Sequence, residues 1–277
     1  MSWQEILLEC SQKMKKAALR YFGSPKAATG FGVGAGGDIS KRIDLAAEKA
    51  LIDCLGKHEI SCTLVSEEAG TKKIGLASSE YYITTDPVDG TTNAVRGLPF
   101  CANVIAVSKG PNIQDIEAAV VSDIVHDITY TAQKGKGAYK NGNKISPSNT
   151  SNLEDAIIGI DLNTIKIEQL AGKLGGLFKA GKHFRHFGAN AQEICYVADG
   201  STDAFVDIRG KLRVTDMVAS YLILREAGGI ILTPEGKELK VQLEATQRLS
   251  FIAAANKEMY EAIKTALNGY QFSWDSL

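Results

Sequence analysis

Apolar residues Ile6, Leu7, Cys10, Met14, Ala17, Ala18 and Tyr21 recur at three- and four-residue intervals, with Lys and Gln between them. This period predicts an amphipathic helix over residues 3–22. It returns through Leu45, Ala47, Leu51 and Leu55, predicting a second helix over 44–57. Between them, five glycines crowd the stretch from Ala28 to Lys41, a composition that suits a mobile loop better than a helix or strand. The pattern then changes to short apolar runs. CTLV ends at Ser66-Glu67-Glu68, and YYITT ends at Asp86-Pro87-Val88-Asp89-Gly90. Further strands are expected at 102–108, 117–122 and 128–133, with turns at Lys134-Gly135 and Asn141-Gly142. Strands at 156–161, 203–208, 230–233 and 250–254 then alternate with helices at 166–180, 189–199, 215–227 and 256–267. Gly228-Gly229 is placed to cap the helix that ends at Ala227.

The polar, turn-rich stretch ISPSNTSN at 145–152 divides this pattern. It predicts an N-terminal α+β region, 1–148, with most of the clustered acids, and a C-terminal α/β region, 149–277. Mixed helices and strands of this kind stack in layers, here with two halves sharing a cleft. The 277 residues, 44% of them hydrophobic, suffice for a large core. A net charge of -1 argues against nucleic acid as a partner. Cys10, Cys54, Cys62, Cys101 and Cys195 are scattered without a CxxC pair, which predicts buried free thiols in a reducing compartment. The start, MSWQEILLEC, is acidic where a secretion signal is basic, and no apolar run reaches the roughly 20 residues that span a bilayer. A cytoplasmic protein without a membrane partner is expected.

Candidate chemistry lies at the strand ends. Asp86 and Asp89 are three residues apart with Pro87 between them, so both carboxylates can serve one metal site. Gly90-Thr91-Thr92 follows as a possible helix start whose free N–H groups suit an anion. Hard oxygen ligands beside such a start suit Mg²⁺ bridging to phosphate. An acidic turn is the plain alternative for DPVDG, and an N-cap the plain alternative for Asp216. Glu67-Glu68, Asp44 and Asp216 together favour the metal reading.

These residues form a pattern that resembles the inositol monophosphatase and fructose-1,6-bisphosphatase superfamily of metal-dependent phosphatases. DPVDGTTN at 86–93 is similar to its first signature, and Thr215-Asp216 through Glu226-Ala227-Gly228-Gly229 to its second. Ser66-Glu67-Glu68 is similar to the GEE-type motif, Lys41-Arg42-Ile43-Asp44 to the TxxD-type element, and Gly188–Phe205 to the linking segment. Thr84 and Thr215 stand where the family has tryptophan, and Lys41 where it has threonine; Lys41-Arg42 looks like the archaeal dual-activity branch.

The resemblance implies a layered α-β-α-β-α sandwich of the sugar-phosphatase type, a homodimer, and two or three Mg²⁺ ions, or Mn²⁺ in their place. It implies that Glu67, Asp86, the Val88 carbonyl, Asp89 and Asp216 bind metal, and that Gly90 and Thr91 bind phosphate. Asp44, Thr91 and Glu67 would serve catalysis, with Asp44 and Thr91 orienting the attacking water. Asp38, Lys41 and Glu68 would support them from the loop and the surrounding shell. Asn190 and Asp207 fall at substrate-facing positions, Asp207 where relatives grip ring hydroxyls. Arg209, Lys211 and Arg213 can reach a second phosphate, or form a solvated hairpin. Neither a DxDx[TV] aspartyl motif nor a Cys-x5-Arg loop is present, so direct attack by water is expected. The expected function is Mg²⁺-dependent hydrolysis of small phosphate esters such as inositol-1-phosphate or fructose-1,6-bisphosphate. A bisphosphate nucleotidase, an NADP(H) phosphatase or a non-catalytic metal- and phosphate-binding relative are the alternatives.

Overall fold

The computed structural model describes residues 1–76 and 79–268. The expected second region runs to 277, and its residues 269–277 lie outside the described ones. The chain opens with α1 (Trp3–Leu19), whose N-terminus is closed by a capping box: the Ser2 amide donates to the Glu5 carboxylate at 2.7 Å. Next come β1 (Gly30–Val33), β2 (Ile39–Lys41) and α2 (Arg42–Lys57). The antiparallel β1–β2 hairpin corrects the expectation of a loop without strands. Its glycines serve a close approach: the Ala35 amide donates to the Glu68 carbonyl and the Gly36 amide to the Glu67 carbonyl. A Cβ on Gly36 would meet Glu67 Cγ at 2.7 Å.

Then follow β3 (Cys62–Ser66), β4 (Gly70–Ile74), β5 (Tyr81–Asp89), the short α3 (Thr91–Arg96), β6 (Ala102–Lys109), β7 (Ile116–Asp123), β8 (Thr129–Gln133), β9 (Gly137–Lys140) and β10 (Asn143–Lys144). These strands form one sheet in the order β10-β9-β8-β7-β6-β5-β3-β4. Only the β3–β5 pair is parallel. β11 (Ile157–Ile160), α4 (Ile167–Ala180), β12 (His183–Arg185), α5 (Asn190–Ala198), β13 (Ala204–Arg213), α6 (Val214–Ala227), β14 (Ile230–Leu232), β15 (Arg248–Ala254) and α7 (Lys257–Asn268) complete the described chain. Their strands form a second sheet in the order β12-β11-β13-β15-β14. β4, β9 and β10 escaped the sequence reading because they are short, polar and partly exposed.

Period-two alternation shows how the layers assemble. In β6, Ile105 and Val107 join a core with α1 and α2, while Val104 and Ala106 join a core with α5 and α6. In β13, Phe205 faces that same middle core, while Ala204 and Val206 meet α4 and α7. The order is therefore helices, large sheet, helices, small sheet, helices: the α-β-α-β-α sandwich. Both helices of the middle layer lie between sheets, so α6 is buried continuously from Val214 to Leu224 and has no polar face. All five cysteines are free and buried. Among the described residues no helix is long and apolar enough to cross a membrane.

Candidate functional site

β5 runs from the core to the site, and its register against β6 slips between Asp86 and Asp89. This bulge ends regular pairing where Pro87 has no N–H to offer. The Val88 amide donates to Asp86 Oδ1 at 3.0 Å, fixing that carboxylate at the bulge. Gly90 then turns with φ +83°, and a Cβ there would lie 2.7 Å from the Phe100 carbonyl oxygen, so only glycine fits. Thr91 opens α3, its hydroxyl 3.0 Å from Asp44 Oδ1 and 2.9 Å from the Val88 carbonyl oxygen. Asp44 is held from its own helix too, accepting from the Lys41 amide at 3.2 Å. Lys41 thus positions Asp44 through its backbone, which any residue in place of the family's threonine can do.

Glu67 follows β3, Asp86 stands at the bulge in β5 and Asp216 lies in the first turn of α6. Each offers a carboxylate oxygen, and the three atoms lie within 4.8 Å of one another. All three residues are buried. Burial, and then the charges of Asp86 and Asp216, push the Glu67 pKa well above the usual carboxylate range. Asp86 rises likewise from burial and from Asp216 and Asp89. Asp44 is pushed up to about 7, by burial first and by Glu68 next. Such a cluster of hard, convergent oxygens favours a dication over protons, and Mg²⁺ fits that donor set.

Asp89 is committed differently. Its two oxygens accept from the Asn190 and Ala191 amides, at 3.0 and 2.7 Å, at the start of α5. Burial and the nearby Asp216 raise its pKa well above normal despite those bonds. Asn190, which lines the cleft, has a buried side-chain oxygen without a hydrogen-bond partner. Glu68 accepts from the Ser40 hydroxyl and so fastens the hairpin to the site.

The basic segment is split among three roles. Arg213 Nη1 lies 2.5 Å from Glu67 Oε1 and 2.7 Å from Asp38 Oδ2, and Nε lies 3.1 Å from Asp216 Oδ1. It sits among the carboxylates. Burial opposes its charge, yet Asp216, Glu67, Asp86 and Asp38 more than compensate and raise its pKa. Arg209 donates to Asp161 and Asp207 from Nη2, at 2.6 Å each, and to the Asn163 carbonyl from Nη1. Lys211 is exposed, with Nζ 3.4 Å from Thr164 Oγ1. The segment is not a free hairpin: it is the outer part of β13, paired to β15 past a bulge between Asp207 and Leu212.

One cleft of about 1080 Å³ between the sheets gathers these groups. Every expected site residue except Asp207 lines it. Asp207 is fully buried beneath Arg209. The cleft also presents His186 and three residues that the sequence reading passed over: Asp161, Asn163 and Arg248. Asp161 follows β11 as a strand-end acid, the same signal that singled out Glu67 and Asp86. His186 bonds the Ile160 carbonyl through Nδ1 at 3.0 Å. Arg248 carried no local signal; it reaches the site from β15 by bonding the Gly36 carbonyl. Phe100 and Phe187 stack at 4.7 Å, bridged by Asn93, which donates to both of their carbonyls.

The family model described as "Inositol monophosphatase family" matches residues 2–271. The chain is 34% identical to a fructose-1,6-bisphosphatase/inositol-1-monophosphatase of Thermococcus kodakarensis, over 96% of this chain and 97% of that protein. It is 36% identical to a bifunctional NADP phosphatase/NAD kinase of Methanococcus maripaludis, over 92% of this chain, and spans about half (47%) of that longer protein. Among solved structures it is similar to an inositol monophosphatase-fructose 1,6-bisphosphatase, with TM-score 0.83, 34% identity and coverage of 96% of this chain and 100% of that one.

Proposed function

Since the chain belongs to the inositol monophosphatase family and is by that membership a phosphoric monoester hydrolase, we propose that its substrates are inositol-1-phosphate, fructose-1,6-bisphosphate or both. The observation that carries this reading is the buried trio Glu67, Asp86 and Asp216 at the floor of the cleft. In this reading those carboxylates, with Asp89 and the Val88 carbonyl, hold two or three Mg²⁺ ions, for which Mn²⁺ can substitute. Bound Mg²⁺ supplies charge that offsets the phosphate and makes water easier to deprotonate at neutral pH.

The chain's own groups do the rest. Gly90 and Thr91 turn amides toward the phosphate. The hydroxyl of Thr91, bonded within reach of both Asp44 and Val88, aims the attacking water, and Asp44 takes its proton. Asn190 offers its unpartnered oxygen to a substrate hydroxyl. Lys211, exposed at the cleft, remains the candidate for a distal phosphate, whereas Arg209 is engaged by Asp161 and Asp207. Asp207 then acts through Arg209. A cytoplasmic homodimer, and regions bounded as 1–148 and 149–277, belong to the same reading. The region boundary is supported by the large sheet ending at Lys144 and the small sheet beginning at Ile157.

NADP phosphatase activity is the second reading, favoured by the 36% identity to the Methanococcus maripaludis enzyme. Phosphate release from inositol-1-phosphate, fructose-1,6-bisphosphate and NADP, with and without Mg²⁺, tests both. Mg²⁺-dependent release from either of the first two is expected. Release from NADP alone would transfer the assignment to the second reading, and release from none would overturn both.

A further inference from the structure

Arg213 occupies an unusual position. Its guanidinium contacts Glu67 and Asp216, two of the three carboxylates that converge to hold a cation, and Asp38 on the β1–β2 turn. The inner two contacts are buried, while the Asp38 side chain is 78% exposed. The wall behind is tight: a Cβ on Gly36 would come within 3.0 Å of Arg213 Nη1 and 2.7 Å of Glu67 Cγ. A guanidinium and a dication drawn to the same carboxylates repel one another at close range, so each weakens the hold of the other. Another positive group, Arg248, lies near enough for the Arg213 charge to lower its pKa, after the larger effect of burial.

We propose that Arg213 is a tethered counter-cation that competes with divalent metal for Glu67 and Asp216. This rests on the reading of those carboxylates as metal ligands. Without divalent metal, Arg213 screens three buried acids from one another and keeps the cleft folded. With metal bound, Arg213 gives up its inner partners and keeps Asp38 at the cleft mouth, where its freed donors face an incoming phosphate. The arginine therefore weakens metal binding in the empty site, and phosphate, as an alternative partner for Arg213, relieves that competition. Metal and anion bind cooperatively through one side chain, by the reciprocity that links any two coupled ligands.

The test is calorimetric titration of Mn²⁺ into wild type, Arg213→Met and Arg213→Lys without substrate, together with thermal melts in EDTA and in saturating Mn²⁺. Arg213→Met should bind Mn²⁺ at least about tenfold more tightly, a change of roughly 1.4 kcal/mol. It should melt lower than wild type in EDTA, with the gap closing in Mn²⁺. Arg213→Lys should stay closer to wild type in both. Arg213→Gln, of similar reach, replaces Met where the Met variant does not fold. Equal or weaker Mn²⁺ binding by the neutral variants, with wild type binding normally, overturns the competition alone. Absence of Mn²⁺ binding in every protein overturns the competition together with the metal assignment, and phosphate-release assays on wild type separate the two failures.

Discussion

Two clusters of acids and arginine face the same cleft, one within the small sheet and one where the end of that sheet meets the large sheet and α6, and they are balanced differently. On the small-sheet side, Arg209 forks onto Asp161 and Asp207 and spends a third donor on the Asn163 carbonyl. Two carboxylates share one fully engaged cation, and the group is nearly sealed, with Arg209 only 7% exposed in its side chain. On the large-sheet side, Glu67, Asp86 and Asp216 share Arg213, which also serves Asp38, while Asp44 and Asp89 lie close by. Here the excess of negative charge is larger, and the pKa values of Glu67, Asp86 and Asp89 rise well above the usual carboxylate range together. A buried acid with a complete fork of donors is a structural joint. A buried acid without one is a ligand awaiting a cation.

The strongest challenge to this contrast is Asp86→Asn. Removing one carboxylate from the under-neutralised trio should cut phosphate release by at least about a thousandfold, since Mg²⁺ prefers charged oxygens. The same change should raise the melting temperature in EDTA by relieving repulsion. A variant with near wild-type turnover would show that the trio is not the reaction centre.

Arg209→Leu probes the opposite cluster. It leaves Asp161 and Asp207 buried without their cation and should cost about 3–5 kcal/mol in urea unfolding. Mg²⁺ should not restore that loss, whereas it should restore Arg213→Met. Equal rescue of both by Mg²⁺ would dissolve the distinction between joint and ligand.

Asp89 stands between the two types, since it is near the trio yet bonds two amides at the start of α5. Asp89→Asn keeps an acceptor but loses charge at a helix N-terminus. Burial and Asp216 disfavour that charge more than the two amides favour it, so the change should raise stability in urea without metal by on the order of 1 kcal/mol while activity is lost. A loss of stability would place Asp89 with the structural joints.

The smallest effect concerns Glu193, which accepts from the Phe187 and Gly188 amides and has one buried oxygen without a partner. Burial pushes its pKa up to about 8 from 4.5. The folded protein therefore keeps a proton that the unfolded chain has released above pH 4.5, and stability falls as pH rises from there to about 8. Glu193→Gln should lack this slope and be more stable than wild type at pH 9, above the pH at which the wild-type side chain loses its proton. Identical pH profiles would mean that Glu193 is ionised in the fold.

The parts of this molecule that the chain announces locally were legible. The helices α1 and α2 follow from apolar spacing and the end of α6 from its glycine cap, and Glu67, Asp86 and Asp89 were marked as acids at or near strand ends. Asp161 carried that same mark and was passed over, because it stands alone without a second acid nearby in sequence. The β1–β2 hairpin was hidden because its glycines answer to Glu67 and Glu68, about thirty residues downstream, and not to their own neighbours.

What the sequence determined by itself was the alternation that builds two sheets between three helical layers, and the motif residues that end their strands. Those signals act over a few residues, through backbone sterics and the burial of one face. Only the tertiary structure decided which arginine meets which acid. Arg209 and Arg213 are four residues apart on one strand. One locks a sealed pair and the other stands in an open trio, because the bulge after Asp207 directs them to different neighbours. Coulomb energy depends on separation in space and on local burial, and neither is written in the spacing of residues along the chain.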